Sequence, residues 1–193
     1  MKIIIFKEVF LEGACKVYMR IIEPKIEHFE SVCEIYSLSI RDAFEKEGLG
    51  DLEETISEEI NHKKESLLNY LKGDIYNRKY LIAVNGDDIV GTISFGPCGK
   101  QIKDCTDENF PAQIELGGLY IKPSFQNQGI GSSLINKMIK EMKNMGIHIF
   151  SCDSGYKRAQ KRWIRKFGEP YLVAKDYWGE DGDHMIWLCD TNL

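Results

Sequence analysis

The chain has 193 residues, 43% of them hydrophobic and 28% charged, with 30 acidic and 25 basic side chains and a net charge of −5. That is the size of one domain; the apolar content excludes a disordered or low-complexity chain, and the acidic balance argues against a dedicated nucleic-acid binder. No apolar run approaches the roughly 18 residues of a membrane helix or the about 7–15 of a secretory signal, since Ile3-Ile4-Ile5-Phe6 stops at Lys7-Glu8. The expectation is a cytoplasmic protein with neither a membrane nor a nucleic-acid partner. Cys15, Cys33, Cys98, Cys105, Cys152 and Cys189 form no CxxC pair, and His28, His62, His148 and His184 form no HxxxH pair. Reduced, structural thiols and no metal site are therefore expected.

Residues 1–18 differ in character from the rest of the chain, and Met19-Arg20-Ile21-Ile22-Glu23-Pro24 reads as a fresh start. Two readings stand: Met19 is the natural initiator, or residues 1–18 add a peripheral strand to a single domain over 19–193. A short strand is expected at Arg20–Ile22. Between Lys25 and Arg41, Ile26, Phe29, Val32, Cys33, Ile35, Tyr36 and Ile40 recur at three- and four-residue steps, the period of a helix. A second helix is expected over Ser57–Lys72 with Ser57 as its N-cap. The connection between them is acidic, with Asp42, Glu45, Glu47, Asp51, Glu53 and Glu54 against Lys46 alone.

A hairpin comes next, Tyr80–Val84 and Ile89–Phe95 joined through Asn85-Gly86-Asp87-Asp88; Asn-Gly between β-branched runs is a strong hairpin signal. Further strands are expected at Gln113–Ile121, Ile147–Cys152, Tyr171–Tyr177 and His184–Cys189, with helices at Gly129–Met145 and Tyr156–Phe167. Helices alternate with strands only in the middle of the chain, which predicts a mixed sheet with helices on both faces, an α/β architecture of the α+β kind.

The segment Glu115-Leu116-Gly117-Gly118-Leu119-Tyr120-Ile121-Lys122-Pro123-Ser124-Phe125-Gln126-Asn127-Gln128-Gly129-Ile130-Gly131 carries the chemistry. A strand feeds a polar loop, and the loop feeds a helix N-terminus, whose unpaired N–H groups and positive dipole end attract anions. A P-loop would need Gly-Lys-Ser/Thr, but Ser132-Ser133 comes after Gly131. A dinucleotide fingerprint would need glycine where Leu134 stands. Gln126-x-x-Gly129-x-Gly131 resembles the acyl-CoA pyrophosphate motif of the GNAT superfamily of N-acetyltransferases. The helix behind it is amphipathic: Ile130, Leu134, Ile135, Met138, Ile139, Met142 and Met145 share one half of its circumference.

The resemblance implies a mostly antiparallel, twisted sheet of six or seven strands, and an acyltransferase for groups other than aminoacyl. Acetyl-CoA would be the acyl donor and a primary amine the acceptor, with no metal required. Glu115 would be the general base, and the Leu119 N–H would polarise the thioester carbonyl. The segment Leu119, Tyr120 and Ile121 would pair with pantetheine, while Gln126, Asn127, Gln128, Gly129, Ile130, Gly131 and Ser132 would hold the pyrophosphate. Gly117-Gly118 suits a β-bulge that opens the strand. The acceptor would be a small molecule or peptide, and the acidic 42–59 segment points to a cationic one. A homodimer is compatible with the family.

Two features stay open in the sequence. Lys157, Arg158, Lys161, Arg162, Arg165 and Lys166 line one half of the helix 156–167, which suits CoA phosphates, an acidic partner or a solvated face. Ile164 stands where the family's Trp163–Gly168 segment usually has the tyrosine that protonates the thiolate, leaving water, Tyr156 or Tyr177 as stand-ins. Ser154 reads as the N-cap of that helix. The alternative to an enzyme is a non-catalytic acyl-CoA sensor or regulatory module.

Overall fold

The computed structural model describes residues 19–192, so the reading of residues 1–18 as a strand lies outside them. The described chain runs β1 (Met19–Ile22), α1 (Phe29–Lys46), α2 (Glu53–Leu71), β2 (Lys79–Asn85), β3 (Asp88–Pro97), α3 (Lys100–Cys105), β4 (Ile114–Ile121), α4 (Ile130–Asn144), β5 (Ile149–Ser154), α5 (Lys157–Phe167), β6 (Leu172–Ala174) and β7 (His184–Asp190). The sheet has seven strands in the order β1-β2-β3-β4-β5-β7-β6. Every pairing is antiparallel except β4 with β5. The mixed, mostly antiparallel sheet expected from the sequence is therefore present.

The alternation of each strand sorts its side chains between two cores. Leu81, Ala83, Val90, Ile93, Phe95, Leu116, Phe150, Cys152 and Trp187 pack against the buried stripe of α4 and against Trp163 of α5. Tyr80, Ile82, Val84 and Ile89 face the other way, against Val32, Ile35, Tyr36 and Ile40 of α1 and Ile56, Ile60 and Leu67 of α2. Burial of these apolar faces is the main favourable term, and it fixes the strand register, because a one-residue slip would exchange the faces.

Several element boundaries differ from the sequence expectation. α1 begins after a 3-10 turn at Ile26–His28 and continues past Arg41 to Lys46, because Phe44 extends the buried stripe. α2 begins at Glu53, not Ser57. Glu53 and Glu54 in its first turn complement the helix dipole, and Ser57 is an exposed interior position. Much of the acidic connection is thus helix. α3 has no counterpart among the expected elements: it has six residues and buries only Ile102, too short for a period to register. β5 is shifted to Ile149–Ser154, and the strand expected over Tyr171–Tyr177 shrinks to Leu172–Ala174.

Candidate active site

The site forms where β4 and β5 part. The two parallel strands pair at Glu115↔Ser151, and among the described residues no later pair joins them, although β4 runs on to Ile121 and β5 to Ser154. A bulge in β4 accompanies the divergence. The β3–β4 register shifts by one residue between Thr92↔Tyr120 and Ser94↔Gly117. Gly118 lies there with φ +60°, and a Cβ on it would stand 2.5 Å from Ser94 Oγ. Gly118→Val is therefore expected to lower the thermal midpoint clearly, as the left-handed conformation alone costs about 1–2 kcal/mol; scanning calorimetry would check it.

The bulge also exchanges the faces of β4. Leu116 belongs to the core beneath α4, and so do Leu119 and Ile121, whereas Tyr120 packs with the α1–α2 core. An unbroken alternation would have put Leu119 on the face of Glu115. The Lys122 N–H donates to the Val90 carbonyl of β3 at 2.9 Å. Backbone groups alternate in direction along a strand, so the N–H groups of Ile121 and Leu119 point away from β3 and into the gap beside β5.

The start of α4 borders the same gap. Gly129 is its N-cap, with φ +81° and nothing within 4 Å of where a Cβ would stand. The first intrahelical bond is Ser133 N–H to the Gly129 carbonyl, which leaves the amides of Ile130, Gly131 and Ser132 without an i−4 partner inside the helix. A Cβ on Gly131 would touch Leu119 Cδ2 at 3.8 Å and Ile121 Cγ1 at 4.0 Å, so the helix start and the open edge of β4 line one groove. The Gln126 amide donates to the Ile121 carbonyl at 3.3 Å and to Asp42 at 3.2 Å, and its oxygen accepts from Lys46. That side chain braces the loop against β4 and α1. Asn127 and Gln128 lie in the loop, while Ile130 is buried, so only the backbone of Ile130 can face a ligand.

Glu115 sits at the root of the gap, on the face opposite Leu116. Its Oε2 accepts the Gly99 N–H at 2.7 Å. Burial, and next the charge of Asp153, push its carboxyl above the ordinary value of 4.5, against the Gly99 N–H and Lys63, which pull it down. A carboxylate shifted upward by desolvation holds a proton more readily, as a general base requires. Gly99 and Gly117 make room for it, because a Cβ on them would come within 3.0 and 2.9 Å of its oxygens.

Further groups gather there that the sequence pattern does not single out. Glu59 of α2 accepts the hydroxyls of Tyr120 (3.1 Å) and Tyr156 (2.9 Å). Both phenols are pushed upward, first by burial and then by the Glu59 charge. His184 is 3% exposed, and its Nε2 lies 2.9 Å from Asp153 Oδ2. In sequence it is one of four histidines without a partner nearby. Only the face alternation of β5 and β7, invisible without register, could have linked the two. Tyr177, the other tyrosine considered, donates to Asp104 of α3. Ser154 is the last residue of β5. Its Oγ accepts the Tyr156 N–H, so Tyr156 rather than Ser154 is the N-cap of α5, and Glu47 accepts the Arg158 N–H in the first turn. Cys152 is fully buried, and burial raises its thiol, which removes it as an acyl carrier. Among the described residues, no three His, Cys, Asp or Glu side chains could hold a metal ion, and no helix is long and apolar enough to cross a membrane.

The sequence matches no curated protein. Its fold is that of several solved structures. PaiA N-acetyltransferase from Thermoplasma acidophilum, solved in complex with coenzyme A, is 21% identical with a TM-score of 0.64, over 88% of this chain and 98% of that one. A ribosomal-protein-alanine N-acetyltransferase from Brucella melitensis is 20% identical with a TM-score of 0.63, over 88% and 98%. An N-acetyltransferase from Staphylococcus aureus Mu50 is 18% identical with a TM-score of 0.60, over 90% and 98%. At these identities the likeness establishes the fold alone. The sequence also matches the acetyltransferase (GNAT) family over residues 47–168, more than half its length, and with β4 parted from β5 before a glycine-capped helix, the chain belongs to that family.

Proposed function

We propose that the protein transfers an acetyl group from acetyl-CoA to a primary amine by direct attack. The observation that carries this reading is the gap between β4 and β5, which sets outward-turned strand amides, a helix N-terminus with no side-chain cap and a carboxylate around one opening. The diphosphate would accept hydrogen bonds from the amides of residues 126–132, where helix dipole and orphan N–H groups favour an anion. Pantetheine would lie along Leu119, Tyr120 and Ile121 as an added strand. The basic face of α5 would meet the outer phosphate of CoA.

Chemically, Glu115 takes the proton of the acceptor ammonium, directly or through water. The freed nitrogen lone pair then attacks the thioester carbon. The Leu119 N–H stabilises the negative oxygen that develops, a contribution of about 2.7–4 kcal/mol in comparable sites. The C–S bond breaks, CoA leaves as thiolate, and a proton from the new amide nitrogen is lost to solvent. Ile164 is packed against the core and offers no proton, so the thiolate takes its proton from water or from a tyrosine elsewhere in the site, such as Tyr156.

A cationic acceptor fits the carboxylates of Glu59, Glu115 and Asp153 on the α1–α2 side. The acidic connection itself gives less support than its composition suggested: Asp42 pairs with Lys46, Glu53 with Arg41, and Glu47 caps α5. Ile164 in place of tyrosine favours a second reading, a non-catalytic acyl-CoA sensor. Calorimetric titration with acetyl-CoA tests what the two share. Micromolar binding is expected, and its absence would overturn both; amine-dependent thiol release would then separate them.

A further inference from the structure

The face of the sheet that carries Glu115 holds a second carboxylate that the transfer steps above leave unused. Glu115 pairs with Ser151 across the parallel strands, and paired residues share a face, so Asp153, two residues beyond Ser151, projects on the side of Glu115. Asp153 pairs in turn with Ile186 of β7, which puts His184, two residues before Ile186, on that face too. Asp153 Oδ2 lies 2.9 Å from His184 Nε2, and the Trp178 indole nitrogen lies 3.1 Å from His184 Nδ1. An indole N–H can only donate. Nδ1 must therefore accept, the ring proton is on Nε2, and Nε2–H donates to Asp153.

The histidine is enclosed, while the Trp178 indole that contacts it is 56% exposed. His184 is buried, Tyr177 lies against its ring at 5.3 Å, and a Cβ on Gly155 would stand 2.4 Å from Trp178 Nε1. Gly155 thus admits the indole that orients the histidine. A chain of three side chains reaching from the loop before β7 to a carboxylate in the gap has no evident need in a surface turn.

We propose that Asp153 is a positioning residue for the acetyl transfer: it sets a second carboxyl group on the face of Glu115, and His184 and Trp178 keep that group in place. The proposal rests on the reading of Glu115 as the base. The groups close enough to Glu115 to act on it or feel its charge are Lys63 from α2, the Gly99 N–H ahead of α3, Cys98 after β3, Cys152 and Asp153 of β5 and His184 of β7. Among them Asp153 is the carboxylate, and its repulsion makes the Glu115 carboxylate a stronger proton acceptor. Burial supplies the larger part of the rise and Asp153 the next. Cys105 of α3 also faces Asp153, and its thiol is raised chiefly by burial.

The test needs no acceptor. Protein labelled with carbon-13 at glutamate carboxyls is titrated by NMR, and the Glu115 resonance is identified by its loss in Glu115→Gln. Asp153→Asn keeps an oxygen for the His184 N–H and removes the charge. It is expected to move the Glu115 midpoint down by on the order of one pH unit while acetyl-CoA binding stays as in the native protein. Trp178→Phe removes the donor to Nδ1 without touching either carboxylate, and a smaller downward move is expected. An unmoved or raised midpoint in folded Asp153→Asn would overturn the proposal; if that variant does not fold, Trp178→Phe decides by the same criterion. Failure of the native protein to bind acetyl-CoA would remove the transferase reading, yet leave the electrostatic coupling measurable by itself.

Discussion

Replacing Gly131 by glutamate is expected to weaken acetyl-CoA binding by about two decades or more. Gly131 is in the first turn of α4, and its Cα points a Cβ toward Leu119 and Ile121 at contact distances of 3.8 and 4.0 Å. A longer side chain there crowds Leu119 and Ile121, the strand edge along which pantetheine would lie. Its carboxylate also competes for the orphan amides and repels the diphosphate. At 4 Å two unit charges interact by roughly 1 kcal/mol in water and about 4 kcal/mol at a partly buried site. With about 0.3–1 kcal/mol of the helix-terminus attraction already taken up by the new carboxylate, the loss comes to about 3 kcal/mol, two decades in Kd. Gly129 is the less clean position, because φ +81° would add backbone strain to any side chain. Gly131 has no such conformation, and an acid in the first turn favours the helix. The variant should keep its thermal midpoint while losing the ligand. Calorimetry with acetyl-CoA checks the first part and thermal denaturation the second; retained affinity would place the diphosphate elsewhere.

The architecture was legible where a period ran long enough. α4 carries six buried residues at helical spacing, and the Asn-Gly hairpin joins two β-branched runs whose register the structure pairs from Lys79↔Phe95 to Asn85↔Asp88. The glycine-rich loop was legible because a helix N-terminus needs no side chain to bind an anion, so small residues are its signature. What failed to register was either short or non-local. α3 has a single buried residue, and the start of α2 at Glu53 was hidden because an acidic run suits a loop as readily as a first helical turn. The pairing of Asp153 with His184 joins residues 31 apart through a strand register that no local pattern encodes. The bulge is the instructive case. Gly117-Gly118 pointed to an irregularity, but that it would exchange the faces of Glu115 and Leu119 comes only from the one-residue shift against β3. That exchange keeps the carboxylate on the acceptor side and sends the Leu119 side chain beneath the groove.

Glu115→Gln is expected to lower amine-dependent turnover by about 10²–10⁴-fold with acetyl-CoA affinity unchanged. The glutamine oxygen can still accept the Gly99 N–H that now bonds Oε2 at 2.7 Å, so the strand end and the loop before α3 stay in place. The same substitution should stabilise the protein, and the pH dependence gives the sign. Glu115 has a folded-state pKa above the ordinary 4.5, chiefly through burial. The folded state therefore binds its proton more tightly than the unfolded chain does. The contribution of that proton to stability is fully present below pH 4.5 and is lost as pH rises through the folded value. Near neutrality the native protein bears the cost of a desolvated charge and the glutamine variant does not. The variant's thermal midpoint should exceed the native one near neutral pH, and the gap should close as pH falls toward 4.5. Thiol-release kinetics and denaturation scans across that range separate the roles. Lost turnover with a gained midpoint marks a base held at an energetic cost, whereas retained turnover would identify the protein as one in which Glu115 carries no proton during transfer.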